Sequence, residues 1–229
     1  RYPLVTGVQT CALPISEGLG RFRINVFYQR GQLCIALRYV KAQIPSFAEL
    51  HLPDQLAKIA GAARGIVLVT GTTGCGKSSS LAAMLEHINQ TEKCHVITLE
   101  DPIEYIFEDK MSVIEQREIG LDTLSFERAL AHVMRQDPDV IMIGEMRDSQ
   151  SFMAALAASD TGHLVFSTLH TTTAYQAIGR ILDFFPAQER DQIRRQISNN
   201  LQAVICQRLV PALSGSVVPA VEIMVNTPT

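Results

Sequence analysis

The sequence has no tryptophan and only five cysteines, at positions 11, 34, 75, 94 and 206. They are odd in number and scattered, with no C-x-x-C pair, which excludes a disulfide framework and a thiolate zinc site and fits a reducing compartment. Basic excess is missing too. With charged residues at 19% and a formal net charge of −3, no global field draws the chain to nucleic acid or to an anionic membrane surface. Long apolar runs are absent: GIVLVTG and DVIMIG have the length of buried strands, far short of the roughly 18 to 20 residues that span a bilayer. The opening RYPLVTGVQTCALPIS has no cationic stretch followed by an apolar one, so it does not read as a signal peptide. It also lacks sustained periodicity. Residues 1–16 are therefore set apart, either as a segment foreign to the domain or as an irregular lead-in.

What is present suffices for a core: 229 residues, 47% of them hydrophobic. From Arg21 to Val40 the text alternates cleanly at Phe22, Ile24, Val26 and Tyr28 and turns at Gly31, predicting a β-hairpin. Pro45 and Pro53 interrupt a short polar stretch, and PDQLAKIAG predicts a brief helix stopped by Gly61. Residues 17–60 thus read as the end of a small N-terminal domain plus a linker, and 61–229 as the main domain. There the chain alternates: strand 66–70, helix 77–90, strand 95–100, a loop-rich segment, helix 125–135, strand 140–144, helix 149–159 and strand 163–168. Helices at 174–183 and 188–205 and a late strand in VVPAVEIMV follow. Strands apolar on both faces, alternating with helices, predict an α/β fold with a mostly parallel sheet.

Between the first of these strands and its helix lies GTTGCGKS, Gly71 to Ser78, matching G-x4-G-K-S in the strand–loop–helix context that pattern requires. Gly71, Thr72, Thr73, Gly74, Cys75, Gly76, Lys77, Ser78 and Ser79 are the predicted nucleotide-binding residues. Backbone N–H groups of the loop form an anion nest, the helix start adds positive potential, Lys77 brings a charge to the β- and γ-phosphates, and Ser78 ligates Mg²⁺. The expected ligands are ATP and Mg²⁺. Cys75 reads either as a passive small residue or as a thiol activated by the helix end, in which case alkylation would inactivate the protein and ATP would protect it.

Hydrolysis also needs acids at the ends of neighbouring strands. HVITLE runs into Asp101-Pro102-Ile103-Glu104, placing Glu100, Asp101 and Glu104 just past a strand. VIMIG ends in Glu145, followed by Arg147 and Asp148; Gly144 stands where many P-loop proteins have Asp, so Glu145 is expected to hold Mg²⁺ through water. Asp148 reads better as a helix N-cap, and Glu100 reads equally as a solvated strand end. His170, after a strand's carboxyl end, is a candidate phosphate sensor. His163, at that strand's other end, reads as structural or functional.

In this order and spacing, GTTGCGKS, TLEDPIEY, GEMRD and TGHLVFSTLHT closely resemble the type II/type IV secretion ATPases, and within them the retraction ATPases of type IV pili, from about Arg21 to the C-terminus. The segments are similar to that family's Walker A, Asp box, Walker B and His box. The resemblance implies a RecA-like core preceded by the remnant of a PAS-like domain, acting as a homohexamer on the cytoplasmic face of the inner membrane against a platform protein, with ATP hydrolysis driving pilus retraction and twitching motility. It also implies Glu104 as the catalytic carboxylate, Glu145 on Mg²⁺, His163 and His170 as the paired histidines, and Arg23 and Arg38 near the phosphates; solvated strand charges are the other reading of those arginines. ICQRLVPALSG carries one cysteine and no tetracysteine module, unlike many assembly and secretion members. Both ends depart from the family pattern, with most of the N-terminal domain and the C-terminal segment absent. An accessory nucleotide-binding subunit with little turnover is the alternative; a small-molecule kinase is disfavoured because no arginine-rich lid is evident.

Overall fold

A computed structural model describes residues 11–14, 21–40, 43–213 and 215–227. Two compact units are present: Arg1–Ile44 with Glu104–Phe107, and Pro45–Ile103 with Glu108–Thr229.

In the first unit, strands β1 (Cys11–Pro14), β2 (Arg21–Gln29) and β3 (Gln32–Val40) form an antiparallel sheet in that order. The alternation read from the sequence sets its register. Phe22, Ile24, Val26 and Tyr28 stand opposite Tyr39, Leu37, Ile35 and Leu33, so one face is apolar, and the Phe22 and Tyr39 rings meet edge-on at 5.3 Å. Arg30 and Gly31 close the hairpin with φ of 52° and 77°, the two positive values that a tight turn matching strand twist demands. Strand β1 was not expected: Cys11 to Pro14, inside the lead-in, pair with Ile24 to Arg21. The remainder of residues 1–16 lies outside the described residues.

The second unit opens with helix α1 (Gln55–Ala60) and continues β4 (Gly65–Thr70), α2 (Lys77–Thr91), β5 (His95–Glu100), β6 (Val113–Glu118), α3 (Phe126–Val133), β7 (Val140–Ile143), α4 (Ser149–Asp160), β8 (Leu164–Leu169), α5 (Ala174–Leu182), α6 (Arg190–Asn200), β9 (Leu201–Pro211) and β10 (Val217–Val225). Its seven strands run in the order β10-β9-β4-β8-β7-β5-β6. All neighbours are parallel except β10, which pairs antiparallel with β9. Every residue of β4, β7 and β8 is buried, as expected for strands covered on both faces. Ile66, Leu68, Ile97, Ile141 and Val165 join Phe152, Leu156, Ile181 and Ile197 of the helices in one apolar core.

Three expectations are corrected. The boundary falls at Ile44/Pro45 rather than at 60/61, because α1 packs on α2 and buries Leu56, Ile59 and Ala60. The loop-rich segment contains edge strand β6, in which Val113 and Glu115 are exposed and Glu118 is buried. The helix expected over 188–205 ends at Asn200, and 201–206 becomes strand, with Ala203, Val204, Ile205 and Cys206 all buried between β4 and β10.

Candidate nucleotide site

The parallel strands leave one rim at their carboxyl ends, where the ligands of open α/β sheets bind. Strand β4 reaches that rim at Thr70, and the chain turns through Gly71 (φ 145°) into Gly76 (φ 94°), conformations that side-chain-bearing residues rarely adopt. A Cβ on Gly71 would sit 2.4 Å from the Gln207 carbonyl oxygen and 2.5 Å from Cys75 Sγ, so only glycine fits. Gly76 is the N-cap of α2 and no side chain caps the helix start, which leaves its positive end to face an anion. The Lys77 ammonium, almost fully buried, donates to the carbonyls of Gly71 at 2.9 Å and Thr72 at 3.1 Å. Thr72, Thr73 and Gly74 are exposed, while Ser78 and Ser79 are half-buried in the first turn of α2. Cys75 is 3% exposed beneath the loop, so it is the passive residue rather than the alkylation target.

Next along the rim is β8, and beyond it β7. His170 follows β8 and Glu145 follows β7, and the structure brings them together: His170 Nε2 lies 3.2 Å from Glu145 Oε1. The other carboxylate oxygen accepts from Arg147 Nε at 2.8 Å, and Arg147 also reaches Asp101 Oδ2 at 3.9 Å. The hydrogen bond that Arg147 donates to Glu145, and then the charge of that carboxylate, raise the already high pKa of Arg147, keeping the guanidinium charged. Backbone ties hold Glu145 from both sides, with Gly144 N–H donating to Leu99 O at 2.8 Å and Met146 N–H to Thr168 O at 3.1 Å. Gly144 has a packing reason to lack a side chain, since a Cβ there would lie 3.2 Å from Leu99 O.

Glu100, at the end of β5, is buried and not a solvated strand end; it accepts from Thr98 Oγ1 at 2.6 Å and Gln116 Nε2 at 3.1 Å. Asp148 is the N-cap of α4: its carboxylate accepts from Ser151 N–H at 2.8 Å in a reciprocal capping box. That backbone hydrogen bond, joined by one from the Ser151 hydroxyl, lowers its pKa.

One expected site residue lies at the other end of its strand. His163 precedes β8 on the opposite rim, its Nδ1 2.9 Å from Ala158 O and 3.0 Å from Thr161 Oγ1, so within this chain it does not join His170. Glu104 is exposed and belongs to the hairpin-bearing unit. In that unit the register sets Arg23 directly opposite Arg38; their side chains lie outside the described residues.

One residue at the loop had no signal in the sequence. Gln207, on β9, is 3% exposed and donates from Nε2 to the Cys75 carbonyl at 2.7 Å, 132 positions away, while its Oε1 accepts from Ser80 Oγ at 2.8 Å.

The residues present fit a magnesium–nucleotide. The loop is a glycine cradle at an uncapped helix start, and Ser78 offers a hydroxyl there. Among the described residues no group of three His, Cys, Asp or Glu side chains could hold a metal ion by itself.

Residues 11–222 match the family described as Type II/IV secretion system protein. The chain belongs to this family. It is 45% identical over 211 residues to the type IV pilus retractation ATPase PilT of Pseudomonas aeruginosa, covering 92% of this chain and 61% of that protein. It is 47% identical over 220 residues to the type IV pilus ATPase PilU of the same organism, covering 95% and 58%. A crystal structure of the pilus retraction motor PilT with bound ADP superposes with a TM-score of 0.92 at 49% identity, covering 96% of this secretion-family chain and 64% of that one. The chain thus spans about three fifths of the length of these relatives.

Proposed function

We propose that this chain is the ATP-hydrolysing core of a motor subunit that powers type IV pilus retraction and hence twitching motility. The observation that carries the reading is the sheet rim itself: a phosphate loop after β4, with His170 and Glu145 in contact after the next two strands. In this reading the loop N–H groups and the start of α2 bind the phosphates, and Lys77 exchanges the carbonyls of Gly71 and Thr72 for phosphate oxygens. Mg²⁺, when bound with ATP, neutralises charge on the β- and γ-phosphates. Ser78 would ligate it, and Glu145 would hold its hydration water, being itself fixed by Arg147. His170, on Glu145, reports whether a γ-phosphate is present. Glu104 orients the attacking water, and Arg23 and Arg38 add positive charge at the phosphates. His163 has no part in the chemical step within one subunit. The working assembly is a homohexamer at the cytoplasmic face of the inner membrane, pushing on a platform protein; no helix among the described residues is long and apolar enough to cross a membrane.

The alternative reading is a nucleotide-binding accessory subunit of a pilus or secretion machine with little turnover of its own. Phosphate release measured beside nucleotide binding separates the two. The motor reading predicts steady turnover by the wild type, lost by about 100-fold in Glu104→Gln with ATP affinity kept. Binding without turnover in the wild type favours the accessory reading, and turnover unchanged in Glu104→Gln refutes that residue's assignment.

A further inference from the structure

We infer that Gln207 is a positioning residue for phosphate binding: its side-chain amide orients the Cys75–Gly76 peptide so that the Gly76 N–H faces the bound phosphates. The inference rests on the nucleotide reading above and extends it to a residue outside the loop.

Register puts Gln207 in place. Thr70 pairs with Cys206, so the next residue of β9 stands level with Gly71, where β4 gives way to the loop. A primary amide is costly to bury in a sheet interior unless both its ends are satisfied, and here they are. Nε2 donates to Cys75 O at 2.7 Å and Oε1 accepts from Ser80 Oγ at 2.8 Å. Ser80 is itself buried in the first turn of α2, so the amide ties the loop to the helix that follows it.

The consequence comes from peptide planarity. In a trans peptide the C=O and the following N–H point in opposite directions. Holding the Cys75 carbonyl down toward β9 therefore turns the Gly76 N–H away from the sheet, toward the anion side of the loop. A free glycine-flanked peptide flips readily, because glycine admits both signs of φ. Gln207 also packs closely: a Cβ on Gly76 would lie 3.0 Å from its Nε2, and a Cβ on Gly71 would meet its backbone carbonyl. The loop lies on this residue, which leaves no room for a side chain at Gly71 and little at Gly76.

The test compares the wild type with Gln207→Met, Gln207→Glu and Ser80→Ala, measuring the Kd for a magnesium complex of a non-hydrolysable ATP analogue and, separately, the thermal midpoint. Met keeps the volume and removes the donor; Glu keeps an acceptor for Ser80 and sets an oxygen against the Cys75 carbonyl. Both are expected to raise Kd by about tenfold or more, whereas Ser80→Ala, which leaves the carbonyl pinned, changes it by less than about threefold. A role confined to stability lowers the midpoint of the Gln207 variants while leaving the Kd of the folded protein within about twofold, and that result overturns the inference. Failure of both variants to unfold cooperatively assigns Gln207 to the fold and overturns it equally. A wild type that does not bind the analogue overturns the nucleotide reading itself, an outcome distinguishable from the others because it precedes any substitution.

Discussion

Gly71 shows how tightly one residue is constrained at this site. Its φ of 145° disfavours any side chain, and an added Cβ would lie 2.4 Å from the Gln207 backbone carbonyl oxygen, which cannot yield as a flexible side chain does. Gly71→Ala is therefore expected to cost roughly 2 kcal/mol or more in urea denaturation and to abolish nucleotide binding; a variant as stable and as nucleotide-competent as the wild type contradicts the geometry. Glu145→Gln keeps shape but removes the charge that holds Arg147 and faces His170, and phosphate release is expected to fall by about tenfold or more. The loop residues were legible in the sequence because their spacing encodes a local structure, strand to nest to helix. Glu145 and His170 were legible as strand ends, though their contact was not. Gln207 was invisible: its partner lies 132 positions away, and nothing in ICQRLV marks one glutamine as buried.

Among the elements, α4 carries the clearest local signal. Asp148 before SQSFMAALAA reads as a cap, and it forms a capping box with Ser151. Removing the cap in Asp148→Ala should cost about 1 kcal/mol at neutral pH by chemical denaturation. The folded pKa of Asp148 is lowered, so the contribution is present above the ordinary carboxylate value near 3.9 and is lost as pH falls through the folded value. The gap between wild type and Asp148→Ala should accordingly shrink below about pH 4, and a gap constant with pH argues against the cap. Strands β6 and β9 were less legible for different reasons. VIEQRE is an edge strand in which four of the six residues are polar or charged, a composition that also suits a loop. LQAVICQRLVP follows α6 with no glycine or proline between them, and an apolar run of that length fits a buried helix or a central strand equally until its place beside β4 is known.

For the molecule as a whole, sheet order turns separate motifs into one site. A strand inserted on each side of β4, namely β8 and β9, brings His170 to one flank of the loop and Gln207 to the other, although both are encoded far downstream. The alternation of strands and helices predicts the class of fold but not this order, because crossovers leave no mark in the local pattern. The order also sorts the two histidines by rim. His163→Ala should reduce stability, through lost contacts to Ala158 and Thr161, and leave nucleotide affinity within about twofold. His170→Ala should reduce phosphate release instead, and a reversal of these effects would contradict the placement. The central claim, that the loop after β4 binds ATP, is tested most directly by isothermal titration of Mg-ATP into the wild type and Lys77→Ala. The account predicts saturable binding by the wild type, weakened by about 100-fold in the variant, because the buried ammonium that bridges Gly71 and Thr72 is the charge transferred to the phosphates. Equal affinities would contradict it.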